Sequence, residues 1–265
     1  LPITYLDSNI QFLPFTAAPH PNGPCIADPG QCIDPEEGHR ARAGNPEEYQ
    51  MAKTIEFGID TFGDVTVGAD GKRLHHAEVI RNVLEEAVLA DEVGIDFIGV
   101  GEHHRDDFAV SAPEVVLAGI ATRTRRIKLG SAVTVLSSDD PIRVFERFST
   151  VNALSNGRAE VILGRGSFTE SFPLFGYELN DYEVLFNEKL DLFAALLNNG
   201  PINWQGNLRP PLKDQTVYPP IENGRLSAWI GVGGSPESVV RSVRYQIPMT
   251  LAIIQAVIVR SAGRI

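Results

Sequence analysis

Residues 94–104 read Gly-Ile-Asp-Phe-Ile-Gly-Val-Gly-Glu-His-His. Phe97–Gly101 within them is a short apolar run between glycines, the form taken by a strand buried on both faces. Gly94 closes a helical pattern over residues 75–93, in which Ile80, Leu84, Ala87 and Ala90 share one face. On the far side, Ser111-Ala-Pro-Glu114 has the form of a capping box and predicts a helix to about Arg123. The strand therefore sits between two helices and ends in groups that can do chemistry. Side chains alternate along a strand, so only one of His103 and His104 can point into a site at its C-terminal end.

The same alternation continues outward. Strands are predicted at Thr54–Asp60, Ile127–Val135, Glu160–Leu163, Ala228–Val232 and Met249–Ile254. Asp140-Pro141 opens a helix to about Leu154 with an N-cap and a first-position proline. A helix over 180–198 carries Phe186, Leu190, Phe193 and Leu197 inward, and Ser235-Pro236 opens another. Residues 201–225 are irregular and Pro-rich, with room for a small hairpin. Six strands alternating with five helices imply a parallel sheet with right-handed crossovers. A barrel and an open doubly wound sheet both satisfy that pattern. The first loop carries no GxGxxG, which removes the best support for a nucleotide-binding open sheet.

The 265 residues are 43% hydrophobic and 22% charged, a balance that excludes a mainly disordered chain. No run approaches the ~18 uninterrupted apolar residues of a membrane-spanning helix. The balance of 23 Lys+Arg against 34 Asp+Glu leaves a net charge of −11 and no basic stripe, which argues against nucleic acid as a partner. The two cysteines, Cys25 and Cys32, cannot staple a chain of this length, and a cytoplasmic setting is expected. Residues 1–50 hold 8 of the 18 prolines, and the regular pattern begins directly after Met51. They are expected to be an irregular extension outside the native domain, making few contacts with it, with 51–265 forming the barrel. A Pro-rich arm that packs on a partner is the other reading. A metal site at Cys25 and Cys32, completed by His20 or His39, lacks a recognised spacing.

Three stretches carry candidate chemistry. Glu102-His103-His104 ends the second strand, where a histidine can serve as acid or base, contact a ring-shaped cofactor, or simply be satisfied by local bonding. Gly164-Arg-Gly-Ser167 ends the fourth; its glycines admit a flat ligand and Arg165 can fork onto an anion, or the motif is only a tight turn. Gly231-Val-Gly-Gly-Ser-Pro-Glu-Ser238 is a strand–loop–helix junction. The N–H groups after Gly233 and Gly234, the helix dipole and the hydroxyls of Ser235 and Ser238 suit a phosphate. An ordinary N-cap is the alternative there.

Together these stretches resemble the bacterial luciferase-like family of flavin-dependent monooxygenases and oxidoreductases. The resemblance rests on Glu56–Asp64 (EFGIDTFGD), Gly94–His104, Ile127–Leu136 (IKLGSAVTVL), Asp140–Arg143, Leu154–Arg158 (LSNGR), Leu163–Gly166 and Trp229–Ser238 (WIGVGGSPES). It covers roughly residues 52–254 and implies an α/β fold of the (β/α)8 TIM-barrel type. It also implies that His103, with Glu102, lies at the reactive edge of a flavin. It further implies a cis peptide at Ala132-Val133 beneath the flavin ring, Arg165 in the flavin pocket, and Ser235 and Ser238 on the FMN phosphate. The implied partners are a small organic substrate, oxygen, NAD(P)H or a flavin reductase as the source of electrons, and a second copy in a dimer. The pattern also departs from the family's. Gly164 stands where luciferase has a reactive cysteine, so light emission is not expected. Glu183 occupies a position that is basic in luciferase. The family pattern stops after the sixth strand, so the barrel is expected to be C-terminally incomplete, with exposed edges on strands one and six and weakened FMN binding. Hydride transfer with deazaflavin F420 and a non-catalytic flavin-binding or subunit-partner role are the rival functions; a metal-dependent hydrolase is a fourth.

Overall fold

The computed structural model describes residues 14–16, 55–166, 168–233 and 236–251. Six parallel strands occupy the six apolar runs: β2 (Ile55–Thr61), β3 (Phe97–Val100), β4 (Lys128–Ser131), β6 (Ala159–Gly164), β9 (Ser227–Val232) and β10 (Met249–Leu251). The third run is interrupted after Ser131 and resumes as β5 (Thr134–Val135), which pairs with β6. Across the sheet the order is β2-β3-β4-β6-β9-β10, so consecutive β/α units lie side by side. The sheet curls as in a TIM-type barrel, and the described residues supply six of the eight strands of that architecture. Residues 202–215 form the small hairpin β7 (Ile202–Trp204) and β8 (Leu212–Gln215).

One edge differs from expectation. β1 (Pro14–Thr16) pairs antiparallel with the outer edge of β2, Pro14 opposite Phe57 and Thr16 opposite Ile55. The first strand is thus partnered on both sides. Proline suits such an outermost strand because its missing N–H would face away from the sheet. The rest of the Pro-rich extension, including both cysteines, lies outside the described residues, as does 252–265.

The helices are α1 (His76–Val93), α2 (Pro113–Ala121), α3 (Pro141–Leu154), the single turn α4 (Ser171–Leu174), α5 (Tyr182–Leu196) and α6 (Pro236–Tyr245). On α1 the buried line is Val79, Val83, Ala87 and Ala90; Ile80 and Leu84 flank it, packed against the core. Asp140 caps α3 as read, accepting from the N–H groups of Ile142 and Arg143. Ser111 does not cap α2. The helix starts one residue later with Pro113 in its first turn, and Ala112 at the cap makes no side-chain bond. Proline is best placed at the first helical position, where its missing N–H is one the helix leaves free, and that start puts Ala112 rather than Ser111 at the cap. Glu114 turns inward instead, 3.3 Å from Arg147.

The core lies between the sheet's outer face and α1, α2, α3 and α5, where Ile98, Val100, Leu129, Val161, Leu163 and Ile230 meet Leu117, Phe148, Leu190 and Phe193. The inner face is different. Phe97 lies over Gly130, where a Cβ would come within 2.5 Å of its ring. Toward the strand N-termini the barrel floor is charged. Lys128 Nζ donates to both Glu56 oxygens at 2.8 and 2.7 Å and stands 3.9 Å from Glu160. Glu160 also accepts from Trp229 Nε1 at 2.8 Å.

Candidate active site

The C-terminal strand ends bring most of the candidate residues to one mouth. Where β4 gives way to β5, the Ala132-Val133 peptide is cis. Two side chains bridge the interruption. Ser131 Oγ accepts from Ile162 N–H at 3.1 Å and donates to Ile162 C=O at 3.2 Å, and the Thr134 hydroxyl donates to it at 2.9 Å. From β3, Glu102 Oε2 accepts the N–H of Val135 at 2.8 Å. The Val133 side chain lies across two glycines of neighbouring strands. A Cβ on Gly164 would come within 2.2 Å of Val133 Cγ2, and one on Gly231 within 3.2 Å of Cγ1. Only glycine lets β6 pass so closely beneath it, and at Gly231 on β9 a Cβ would already be tight. Ala132 and Val133 are themselves partly exposed, so they form a flat apolar platform on the inner wall.

Glu102 and His103 part company. Glu102 is buried, and both of its oxygens are engaged: one by Val135, the other by His104 Nε2 at 3.0 Å. His104 is thereby held in the wall, its ring edge-on to Phe175. His103 sits in an aromatic collar. It stacks on Phe108 with centroids 4.3 Å apart, and Phe62 and Phe168 approach it edge-on at 5.0 and 4.8 Å. Burial pulls its imidazole below the usual histidine range, against the opposing pull of the Glu170 carboxylate. It is therefore neutral at neutral pH and able to accept a proton. Beyond the collar opens a cleft of about 490 Å³ lined by Arg105, Asp106, Phe168, Thr169 and Glu170. Arg105 is forked onto Asp107 at 2.8 and 2.9 Å and stacks over Phe168 at 4.8 Å.

On the opposite side of the mouth, Arg165 follows β6 and lies over the Tyr182 ring at 5.4 Å. Its guanidinium pairs with Glu183 in the first turn of α5. The same carboxylate accepts from Arg241 of α6 at 2.6 Å. Ser238, one turn before Arg241, is buried on the same face. Gly233 has open space where a Cβ would stand, while Gly234 and Ser235 lie outside the described residues. Arg241, Phe62, Phe108 and Phe168 did not emerge from the sequence motifs. The available signal for Arg241 was its i+3 spacing from Ser238, which puts both on one helix face.

The donor set tests what this mouth can take. Ala132 and Val133 offer a flat apolar bed for a fused ring, His103 follows the adjacent strand β3, and cations gather at the α6 end. These residues fit a phosphorylated flavin or deazaflavin. Among the described residues no group of three His, Cys, Asp or Glu could hold a metal ion. Among them, too, no helix is long and apolar enough to cross a membrane.

Residues 56–259 match the model of the luciferase-like monooxygenase family. N-acetyl-S-alkylcysteine monooxygenase of Bacillus subtilis is 34% identical over 179 residues, which is 66% of this chain and 52% of that one. The alkanal monooxygenase alpha chain of a Kryptophanaron alfredi symbiont is 24% identical over 143 residues, 54% of this chain and 40% of that one. The chain spans about a third to a half of the length of the curated relatives it matches. Among solved structures, monooxygenase RslO1 of Streptomyces bottropensis aligns with a TM-score of 0.65 at 22% identity, over 72% of this chain and 58% of that one. The oxygenating constituent of 3,6-diketocamphane monooxygenase of Pseudomonas putida, in complex with FMN, aligns with a TM-score of 0.63 at 17% identity, over 74% and 56%. An F420-dependent secondary alcohol dehydrogenase aligns with a TM-score of 0.57 at 18% identity, over 65% and 54%.

Proposed function

The chain belongs to the luciferase-like monooxygenase family, and from that premise we propose that it serves an FMN-dependent monooxygenase acting on a small organic substrate. The observation that carries this reading is the Ala132-Val133 platform, seated on Gly164 and Gly231 with one histidine collared at its side. When bound, reduced FMN supplies the electrons that activate oxygen. NAD(P)H, directly or through a flavin reductase, would be the source of those electrons. The platform residues orient the ring. The aromatic collar of Phe62, Phe108 and Phe168 excludes water from the reacting edge. His103 accepts or returns a proton at a ring nitrogen on the substrate side, where its lowered pKa keeps it unprotonated at neutral pH.

Glu102 we assign to positioning. With both oxygens committed to Val135 and His104, it holds the platform in place and has no free oxygen to offer a substrate. Ser238, the α6 N-terminus and Arg165 form the phosphate end. Flavin titration tests the binding half of this reading, and substrate-dependent oxygen consumption with supplied reduced FMN tests the chemical half. Saturable FMN binding with oxygen uptake is expected. Binding of F420 but not FMN would transfer the chain to the deazaflavin branch, and binding of both without turnover would leave it a flavin-binding partner.

A further inference from the structure

Glu183, Arg165 and Arg241 form a cluster at the mouth. At Glu183 a carboxylate stands where luciferase is basic, which by itself would weaken a phosphate contact. The geometry points elsewhere. Glu183 is half exposed and is held between two guanidiniums, Arg165 on one oxygen and Arg241 on the other. Each arginine is also positioned without it. Arg241 is nine-tenths buried, its Nε donating to Asn187 Oδ1 at 2.7 Å and its guanidinium over Phe186 at 5.6 Å. Arg165 lies over Tyr182, whose hydroxyl is tied to Gly166 C=O at 2.6 Å. Helical side chains lean toward their own N-terminus, which carries Arg241 back toward the first turn of α6. One carboxylate between two positioned arginines leaves the cluster with a charge of +1, and each guanidinium keeps donors that Glu183 does not use.

We infer that Arg241 supplies the missing cation of the cofactor's phosphate site, and that Glu183 is an internal anion which occupies the two arginines until a phosphomonoester displaces it. This rests on the phosphate end assigned above. It makes Glu183 the residue that sets how tightly the phosphate is held. A ligand must break two ion pairs and repel a carboxylate before it gains the fork of two arginines. A flavin without phosphate has nothing to offer in exchange and leaves Glu183 where it is.

The test is titration of the protein with FMN and with riboflavin, followed by flavin fluorescence, for the parent, Glu183→Gln and Arg241→Gln. Removing the competing charge in Glu183→Gln is expected to tighten FMN by about threefold to tenfold and to leave riboflavin within about twofold. Removing the fork in Arg241→Gln is expected to weaken FMN by about tenfold or more, again without moving riboflavin. Should the buried Arg241 variant fail to fold, Glu183→Gln decides the matter alone. A Glu183→Gln protein that binds FMN no tighter than the parent overturns the inference, as does one that loses FMN and riboflavin equally. Parent protein that prefers FMN over riboflavin while neither substitution changes that preference leaves the flavin reading standing and removes this one. Equal parent affinity for the two flavins does the same. Parent protein that takes up neither flavin sinks both.

Discussion

The two ends of the barrel use charge in opposite ways. At the floor, Lys128 is matched to Glu56 and stands within reach of Glu160, and Glu160 takes a further bond from Trp229. Burial pushes the Glu160 carboxyl above its usual range, with Lys128 working against that shift. At the mouth, Glu183 and Arg165 are partly exposed and Glu183 is shared with Arg241, while His103 is stacked among rings. Charges that close on themselves in a buried layer specify the fold. Charges left with spare donors at the C-terminal strand ends are available to a ligand.

Breaking the floor should have the largest effect on stability. Lys128→Met leaves two carboxylates without their cation and should cost about 3 kcal/mol in urea unfolding. Flavin affinity of the folded fraction should stay within about twofold. A loss below about 1 kcal/mol would mean that the floor network is incidental. At the mouth the reverse is expected. His103→Gln should leave unfolding nearly unchanged and lower turnover about a hundredfold, the scale of a lost general base. Its rate profile in the parent should rise with pH and level off below the ordinary histidine range, because burial lowers the pKa. A profile set at or above that range would assign the proton transfer to another group.

Glu102 tests the boundary between the two kinds of charge. Glu102→Ala orphans the buried Val135 N–H and should cost about 1–3 kcal/mol. Glu102→Gln keeps one acceptor and should restore most of that loss together with activity. A well-folded, inactive Gln variant would show that Glu102 moves a proton. An effect visible only as pH dependence is expected at Asp60, on the inner face below the mouth. Burial raises its carboxyl from 3.8 to about 6. The unfolded chain then ionises before the folded one, so stability should fall as pH rises from about 4 to about 6 and then level. Asp60→Asn should flatten that decline in pH-dependent thermal unfolding. A slope that survives belongs to Glu160, Glu114 or Asp139, whose carboxyls are also raised by burial.

Much of this was legible in the chain. The apolar runs ending in Gly101, Leu163 and Val232 located strands to within a residue or two, because buried strands leave a hydrophobic signature; the run ending in Val135 is broken after Ser131 into two strands. Asp140-Pro141 located the start of α3, because its cap needs only neighbouring N–H groups. Ser111 shows the limit of such local reading. Its motif was intact, but Pro113 took the start of the helix and a distant Arg147 claimed Glu114.

The sequence by itself determined the alternation of strands and helices and the places where the strands end; the order of the strands in the sheet came with the fold. The alternation and the strand ends follow from periodicity and turn chemistry within a few residues. Only the tertiary structure decided that His103 enters an aromatic collar while His104 bonds Glu102, that both Glu102 oxygens are engaged, and that Glu183 holds Arg241 from 58 positions away. A side chain's role depends on which partners consume its lone pairs and donors. Those partners come from other strands and helices, and no local spacing records them.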